Sequence, residues 1–156
     1  VLGMSSPNPL IVLGLNPSTA CREKSDPTIR KIMGIAGLAG RDGIIRFNLY
    51  PQRTPKPADL HETADADYCR DNLIVIEETL KGYDDIDVFL AYGDNIDRKP
   101  YLRQCIREIA AVLKTHRVRW FKTGEFTKKG HPRHPLYVPY RWGLSQFDID
   151  DYLLRL

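Results

Sequence analysis

The chain has 156 residues, of which 42% are hydrophobic and 28% are charged, and its formal net charge is +3. This length predicts one domain over residues 1–156, with a core large enough to fold without disulfides. No run approaches the roughly 18 apolar residues of a membrane span, and the apolar run of residues 10–15 is too short for the core of a secretory signal. We therefore expect a cytoplasmic protein that does not contact a membrane.

Cysteine content argues against several kinds of site. Cys21, Cys69 and Cys105 are an odd number of cysteines, widely spaced and without a Cys-x-x-Cys pair. This pattern predicts reduced thiols and no disulfide framework or zinc site. Three thiolates are also fewer than the four that an iron–sulfur cluster usually takes. We expect no cofactor and no metal.

Charge is distributed unevenly along the chain. Residues 98–142 contain twelve lysines and arginines and two acids, whereas the rest of the chain contains eleven basic and eighteen acidic residues. Such asymmetry is typical of a surface that binds a polyanion, and a solvated basic surface is the alternative. Aromatic residues alternate with these charges, which favours a partner whose bases can stack. The expected nucleic-acid face contains Arg103, Arg107, Lys128 and Lys129.

In chain order, four short segments rich in β-branched or aromatic residues predict strands at 9–15, 43–50, 87–93 and 117–122. Between and after them, helical patterns occupy 26–37, 65–82, 100–114 and about 148–156. The first of these helices is expected to begin at Asp26, an N-cap residue, followed by Pro27.

Apolar residues at helical spacing predict the buried face of each helix. The first helix places Ile29, Ile32, Met33 and Ala36 on one side. The second places there Cys69, Leu73, Ile76 and Leu80, and the third places there Leu102, Ile106, Ile109 and Leu113. Arg103 and Arg107 share the opposite side of the third helix.

Strands and helices alternate along the whole chain. This order predicts an α/β fold, a three-layer sandwich in which a parallel four-stranded sheet of order 2-1-3-4 has helices on both faces. In such sheets ligands bind outside the carboxyl ends of the strands. Segments 14–20, 48–55 and 92–95 should therefore converge with the loop that follows residue 122.

The motifs at these strand ends resemble those of the uracil-DNA glycosylase superfamily. Gly14-Leu15-Asn16-Pro17 resembles its first motif, and Asn48 resembles the asparagine that reads the base edge at the end of its second strand. Tyr92-Gly93 resembles the Trp-Gly after its third strand, and His134-Pro135 resembles its last motif. The resemblance implies a glycosylase-like fold and excision of a base that is flipped out of DNA.

A second resemblance is stronger. The segments "GLNPSTA", "DPTIRK", "NLYPQRTP" and "HPRHPLYVP" resemble those of a family of small bacterial and phage proteins known only as a domain of unknown function. This resemblance implies no particular activity.

Asn16 and His134 are the expected catalytic residues. The glycosylase resemblance implies that Asn16 orients the attacking water through its carbonyl oxygen, and that His134 donates a hydrogen bond to the departing base. A turn-forming Asn16 and a solvated His134 are the alternatives. His131 is the weaker candidate, because Pro-Leu follows His134 as in the superfamily motif. Neither histidine is expected to bind a metal, since no acid or thiol lies nearby in sequence.

The remaining binding residues are expected at the strand ends and in the loops that follow them. The amide of Asn48 offers donors and an acceptor to a pyrimidine edge, and a buried amide satisfied by backbone is the alternative. Ser18 and Thr19 are expected either to contact a phosphate or to cap the next segment. The other expected binding residues are Gly14, Pro17, Tyr50, Arg53, Tyr92, Gly93, Arg133 and Tyr137.

Two functions from different classes follow. The first is a protein that processes a base of a nucleic acid or nucleotide, such as a DNA-repair N-glycosylase acting on a flipped modified or mismatched base. The second is a non-catalytic module that keeps the glycosylase-like fold and binds nucleic acid or a nucleotide. Asn16 stands where stronger glycosylases carry an aspartate, so in an enzyme Asn16→Asp is expected to preserve or raise excision. We expect a monomer and favour DNA over RNA as its partner.

Overall fold

The computed structural model describes residues 2–3, 6–17 and 26–156, with side chains for residues 6–17 and 26–156. The strands are β1 (Leu2–Gly3), β2 (Pro9–Gly14), β3 (Gly43–Asn48), β4 (Asp85–Leu90), β5 (Arg117–Lys122) and β6 (Ser145–Phe147). The α-helices are α1 (Pro27–Leu38), α2 (Ala66–Leu80), α3 (Tyr101–Val112) and α4 (Ile149–Leu154). Two 3-10 turns border the site described below, Gly93–Arg98 and Pro135–Tyr137.

The strands form one mixed sheet in the order β1-β3-β2-β4-β5-β6. The α/β class is confirmed, and the four strands predicted from the sequence are adjacent, parallel and in the predicted order. The prediction of a purely parallel four-stranded sheet is wrong, because β1 and β6 pair antiparallel at its two edges. These edge strands have two and three residues, which is too short for a periodic sequence signal.

Helices cover both faces of the sheet, as predicted. On one face, Ile11, Leu13 and Val88 pack in a hydrophobic cluster with residues of α2, α3 and α4. On the other face, Leu10, Val12 and Phe89 pack against α1. Consecutive residues of β2 therefore contribute to opposite clusters, which explains why this strand is apolar throughout. None of the helices in the described part of the chain is both long and apolar enough to cross a membrane.

The helices begin at the residues that the sequence indicated. Asp26 caps α1 by accepting a hydrogen bond from the Thr28 backbone N–H at 2.8 Å, and Asp65 caps α2 in the same way. The prediction that Met33 belongs to the buried face of α1 is wrong, since Met33 is 55% exposed and Ile35 is buried instead. Leu102, Ile106, Ile109 and Leu113 are buried as predicted. Cys69 and Cys105 are free thiols, and Cys21 lies outside the described residues.

A buried carboxylate ties the segment after α1 to the sheet. Asp87 on β4 is only 4% exposed and accepts hydrogen bonds from Arg119 Nε and Nη2 at 2.8 and 2.7 Å. Arg41, which follows α1, forms a second ion pair with Asp87. Two residues earlier on the same strands, Asp85 and Arg117 form a similar pair in solvent. The two strands thus carry two aspartate–arginine pairs, one with a buried carboxylate and one in solvent.

Candidate functional site

Two glycines at the ends of neighbouring strands lie beside Arg46, Asn48 and His134, and we call the place where these residues meet the cleft. A Cβ atom on Gly14, the last residue of β2, would lie 2.9 Å from both Arg46 Nη2 and Asn48 Oδ1. Gly93 follows β4 with a φ of +63°, and a Cβ atom there would lie 3.1 Å from the Cβ of His134. A larger residue at position 14 would therefore displace the ends of Arg46 and Asn48, and the positive φ of Gly93 favours glycine beside the backbone of His134.

Arg46 and Asn48 present unpaired polar atoms in this cleft. The register of β3 places Arg46 beside Val12 and Asn48 beside Gly14, on the face that α1 covers. Arg46 Nε and Asn48 Oδ1 are buried and have no hydrogen-bond partner among the described residues. Because buried polar atoms are nearly always paired in folded proteins, a donor and an acceptor left free beside Gly14 indicate a place for a ligand or water.

His134 supplies a neutral donor to the same cleft. Its Nδ1 accepts a hydrogen bond from the Leu136 backbone N–H at 3.3 Å, which leaves the ring proton on Nε2. The ring keeps contact with solvent, but the surrounding protein lowers the pKa of His134, and the charge of Arg46 lowers it further. The carboxylate of Asp26 acts in the opposite direction. A pKa below the usual value favours the uncharged form of His134.

Asn16 uses its amide to hold a loop. Its Nδ2 donates to the backbone oxygens of Pro17, Gln52 and Thr54 at 3.1, 3.3 and 2.9 Å. These contacts join the end of β2 to the loop after β3. They correspond to the structural role that the sequence left open for this residue.

A cavity of about 540 Å³ opens beside this loop. It lies between the loop and α2, whereas Arg46 faces α1. The Asn72 side chain on α2 donates to the Asn48 backbone oxygen at 2.9 Å. Three expected binding residues, Pro17, Asn48 and Arg53, line it together with Tyr68, Asp71 and Asn72.

Two expected binding residues lie in the core. Tyr50 is 0% exposed, and its hydroxyl donates to His61 Nδ1 at 2.7 Å and accepts from the Asp65 backbone at 2.9 Å. The Tyr92 hydroxyl donates to the Tyr152 hydroxyl at 2.8 Å. Neither tyrosine reaches the surface of the cleft, because each hydroxyl is bonded within the protein.

His131 belongs to the same interior network. It accepts a hydrogen bond from the Tyr152 hydroxyl at 3.0 Å and donates through Nε2 to Asp97 at 2.9 Å. Burial opposes ionisation of Asp97, but hydrogen bonds from Arg103 and His131 outweigh it and lower the pKa of this carboxyl. Both ring nitrogens of His131 are therefore hydrogen-bonded within the protein, unlike Nε2 of His134, for which the described residues supply no hydrogen bond.

The four residues of the expected nucleic-acid face differ in their surroundings. Arg103 donates to Asp97 at 2.8 Å and Arg107 donates to the Leu156 backbone oxygen at 3.0 Å, both on the face opposite α1. Lys128 and Lys129 are exposed in the loop that leads to His131, and they form no salt bridge within the described ranges.

The other expected residues lie near or beyond His134. Arg133 donates to the Glu125 backbone oxygen at 2.8 Å and lies over the ring of Trp142. Tyr137 is 93% exposed. Ser18 and Thr19 lie outside the described residues, so their predicted roles stay predictions.

Arg46 is the cleft residue that the sequence analysis missed. A signal was present, because Arg46 is the one charged residue of β3, a strand of the sheet that helices cover on both sides. It also precedes Asn48 by two positions, which places both side chains on one face of the sheet.

The comparison with protein families gives one match. The family described as "Protein of unknown function (DUF1643)" matches residues 3–136, from β1 to the turn after His134. No curated protein and no solved structure matches the chain, and none of the comparisons shows a relationship to the uracil-DNA glycosylases. The matched span contains Gly14, Arg46, Asn48, Gly93 and His134 and extends over most of the chain. The chain therefore belongs to the DUF1643 family of proteins of unknown function.

Proposed function

We propose that the protein processes a base of a nucleic acid or nucleotide in this cleft, by hydrolysing the N-glycosidic bond of a flipped modified or mismatched base. The observation that carries the proposal is the buried Oδ1 of Asn48, which has no hydrogen-bond partner among the described residues and lies at the same strand ends as the donor His134. A base offers the complementary groups, an N–H for Asn48 and an oxygen for His134. The glycosylase-like motifs at the same strand ends support the assignment.

Each group would then act on the base as the bond to the sugar breaks. Asn48 accepts the ring N–H and sets the orientation of the base. His134 donates through Nε2 to an oxygen on which negative charge develops, and this stabilises the transition state more than the bound substrate. The Leu136 N–H holds the imidazole in the required tautomer, so the donor is positioned before the substrate arrives.

A non-catalytic binding module is the second candidate. One observation favours it: Asn16 carries no charge, and its Nδ2 is bonded to three backbone oxygens. Asn16 therefore cannot stabilise a cationic sugar electrostatically. The same cleft would then retain a base or nucleotide without breaking a bond.

Excision assays separate the two candidates. Oligonucleotides carrying uracil, hypoxanthine, thymine mismatches or alkylated bases are incubated with the protein, and abasic sites are detected by alkaline cleavage. We expect excision from at least one substrate, and a loss of about 10²-fold in the rate for His134→Ala, as for other donors to a developing oxyanion. His116→Ala is the control, because His116 lies at the amino end of β5 and bonds to the Tyr83 backbone oxygen. Binding without excision would select the second candidate.

The exposed lysines give a separate prediction about binding. Replacing Lys128 and Lys129 together with alanine should reduce the slope of log Kd against log salt by about 1.4 for a single-stranded oligonucleotide, since two phosphate contacts disappear. Arg103→Ala should instead lower the thermal stability, because it removes a hydrogen bond to Asp97. Fluorescence anisotropy at several salt concentrations measures the slope. An unchanged slope in the double lysine variant would show that this loop does not contact nucleic acid.

A further inference from the structure

Arg46 carries a charge in a place where charge is costly. Burial lowers the pKa of its guanidinium, and the carboxylate of Asp26 partly opposes this effect. An arginine nevertheless remains protonated at neutral pH. A buried charge is normally matched by an opposite charge or by a full set of hydrogen bonds.

No carboxylate among the described residues forms a salt bridge with Arg46. Asp26, the nearby acid that influences its pKa, is occupied in capping α1 through the Thr28 N–H. The Nε atom of Arg46 has no hydrogen-bond partner among the described residues either. Within the described ranges, the Nε atom of the guanidinium is thus left for an acceptor on a ligand.

The end of the Arg46 side chain lies beside Gly14, together with the end of Asn48. The point at which a Gly14 Cβ atom would stand is 2.9 Å from Arg46 Nη2, 3.1 Å from Arg46 Nε and 2.9 Å from Asn48 Oδ1. The charged donor and the neutral acceptor therefore both lie beside Gly14. This pair matches an oxygen adjacent to an N–H, which is the edge of a base in its oxo form.

We propose that Arg46 is a catalytic residue of the cleft, which binds the oxygen of an oxo base and stabilises the negative charge that this base gains on leaving. The proposal rests on the function proposed above. In this role Arg46 compensates for the uncharged Asn16. Asn16 cannot stabilise a positive charge on the sugar, whereas Arg46 stabilises the negative charge on the base.

The chemical step balances without a further reactant. The bond between the sugar C1′ and the base nitrogen breaks, and its electron pair goes to the base, where it is delocalised onto the oxygen at Arg46. Water adds its oxygen to C1′ and releases a proton to solvent, and the departed base takes a proton back from solvent. The products are a free base and an abasic sugar.

The dependence of the rate on the leaving base tests this role. Single-turnover rates are measured for excision of uracil and of 5-fluorouracil, whose anion forms more readily. Arg46→Gln should lower the uracil rate by about 10²-fold, as for other removed oxyanion donors, and the 5-fluorouracil rate by clearly less. Arg46→Lys, which keeps the charge, should recover part of the loss, and His116→Ala is the matched control. Equal losses for both bases would overturn the assignment, since they would indicate that Arg46 only positions the substrate.

A second variant leaves the guanidinium in place. Gly14→Ala adds one methyl group that displaces the ends of Arg46 and Asn48. We expect the same selective loss on uracil in this variant. Wild-type rates would overturn the geometry on which the proposal depends.

Binding of a free base provides a readout that needs no excision. Calorimetric titration with 5-fluorouracil at increasing pH should show tighter binding to the wild-type protein as the base ionises, and no such increase for Arg46→Gln. If no oligonucleotide is processed but this dependence is found, the glycosylase function fails while the contact between Arg46 and an anionic base stands. If the pH dependence is the same in both proteins, Arg46 does not hold the anion.

Discussion

Asp87→Asn is expected to lower the free energy of unfolding by about 3 kcal/mol, the loss found when one partner of a buried ion pair is removed. Asp87 is enclosed on β4 and is bonded to both Arg119 and Arg41. Asparagine keeps the size of the side chain but leaves the positive charge of Arg41 without its partner. Urea denaturation followed by circular dichroism measures the difference.

Asp85→Asn is the matched control for this experiment. Asp85 pairs with Arg117 on the same two strands, and the hydrogen bond from Arg117 lowers the pKa of Asp85. Both side chains are in solvent, however, where an ion pair contributes little to stability. We expect little change for Asp85→Asn, and a loss as large as that of Asp87→Asn would show that burial does not explain the difference.

Asn16→Asp is expected to destabilise the protein by about 2 kcal/mol, in the range for unpaired polar groups in folded proteins. The sequence alone suggested that this change would preserve or raise activity by restoring a charge. The geometry reverses the expectation, because a carboxylate cannot donate to the Pro17, Gln52 and Thr54 oxygens and repels them. The loop that lines the 540 Å³ cavity should loosen as a result.

The effect of Asn16→Asp should depend on pH. Repulsion from the three oxygens raises the pKa of the new carboxyl in the folded state, so the variant loses stability as the pH rises through that range. Its deficit should therefore shrink in acid, where a protonated carboxyl can donate. Asn16→Ala, which removes the donor without adding charge, should be less destabilising and should show no such pH dependence. Equal stability of Asn16→Asp and the wild-type protein would contradict the assigned contacts.

The fold was predictable where the residue types suit both the secondary structure and its burial in the fold. Helices α1 and α2 begin at aspartates because a carboxylate can accept from the free N–H groups of a first turn. Strand β2 was recognisable because helices cover both of its faces, which favours apolar residues throughout. The edges were not predictable, since β1 and β6 are two and three residues long and depend on pairing with an existing sheet.

The positions of several candidate side chains were predictable, but their contacts were not. Asn48 and His134 lie at the strand ends as expected. Tyr50 and Tyr92 have the right position along the chain, but their hydroxyls bond within the core, and no sequence pattern distinguishes this from a position in the cleft. Arg46 was missed because one charged residue in a strand gives no indication of whether its partner is protein or ligand.

The hydrogen bond between Tyr92 and Tyr152 determines how far a fragment of this protein must extend to keep its core intact. The family match ends at Leu136, yet Tyr152 beyond it fills the core and bonds to both Tyr92 and His131. β6 also lies beyond the match and pairs with β5. A fragment that stops at the end of the match would leave the Tyr92 hydroxyl without its partner in the core. It would also expose the backbone of β5 as an edge strand, and exposed edge strands promote association between copies. The span recognised by the family is therefore shorter than the span that packs into this core and sheet.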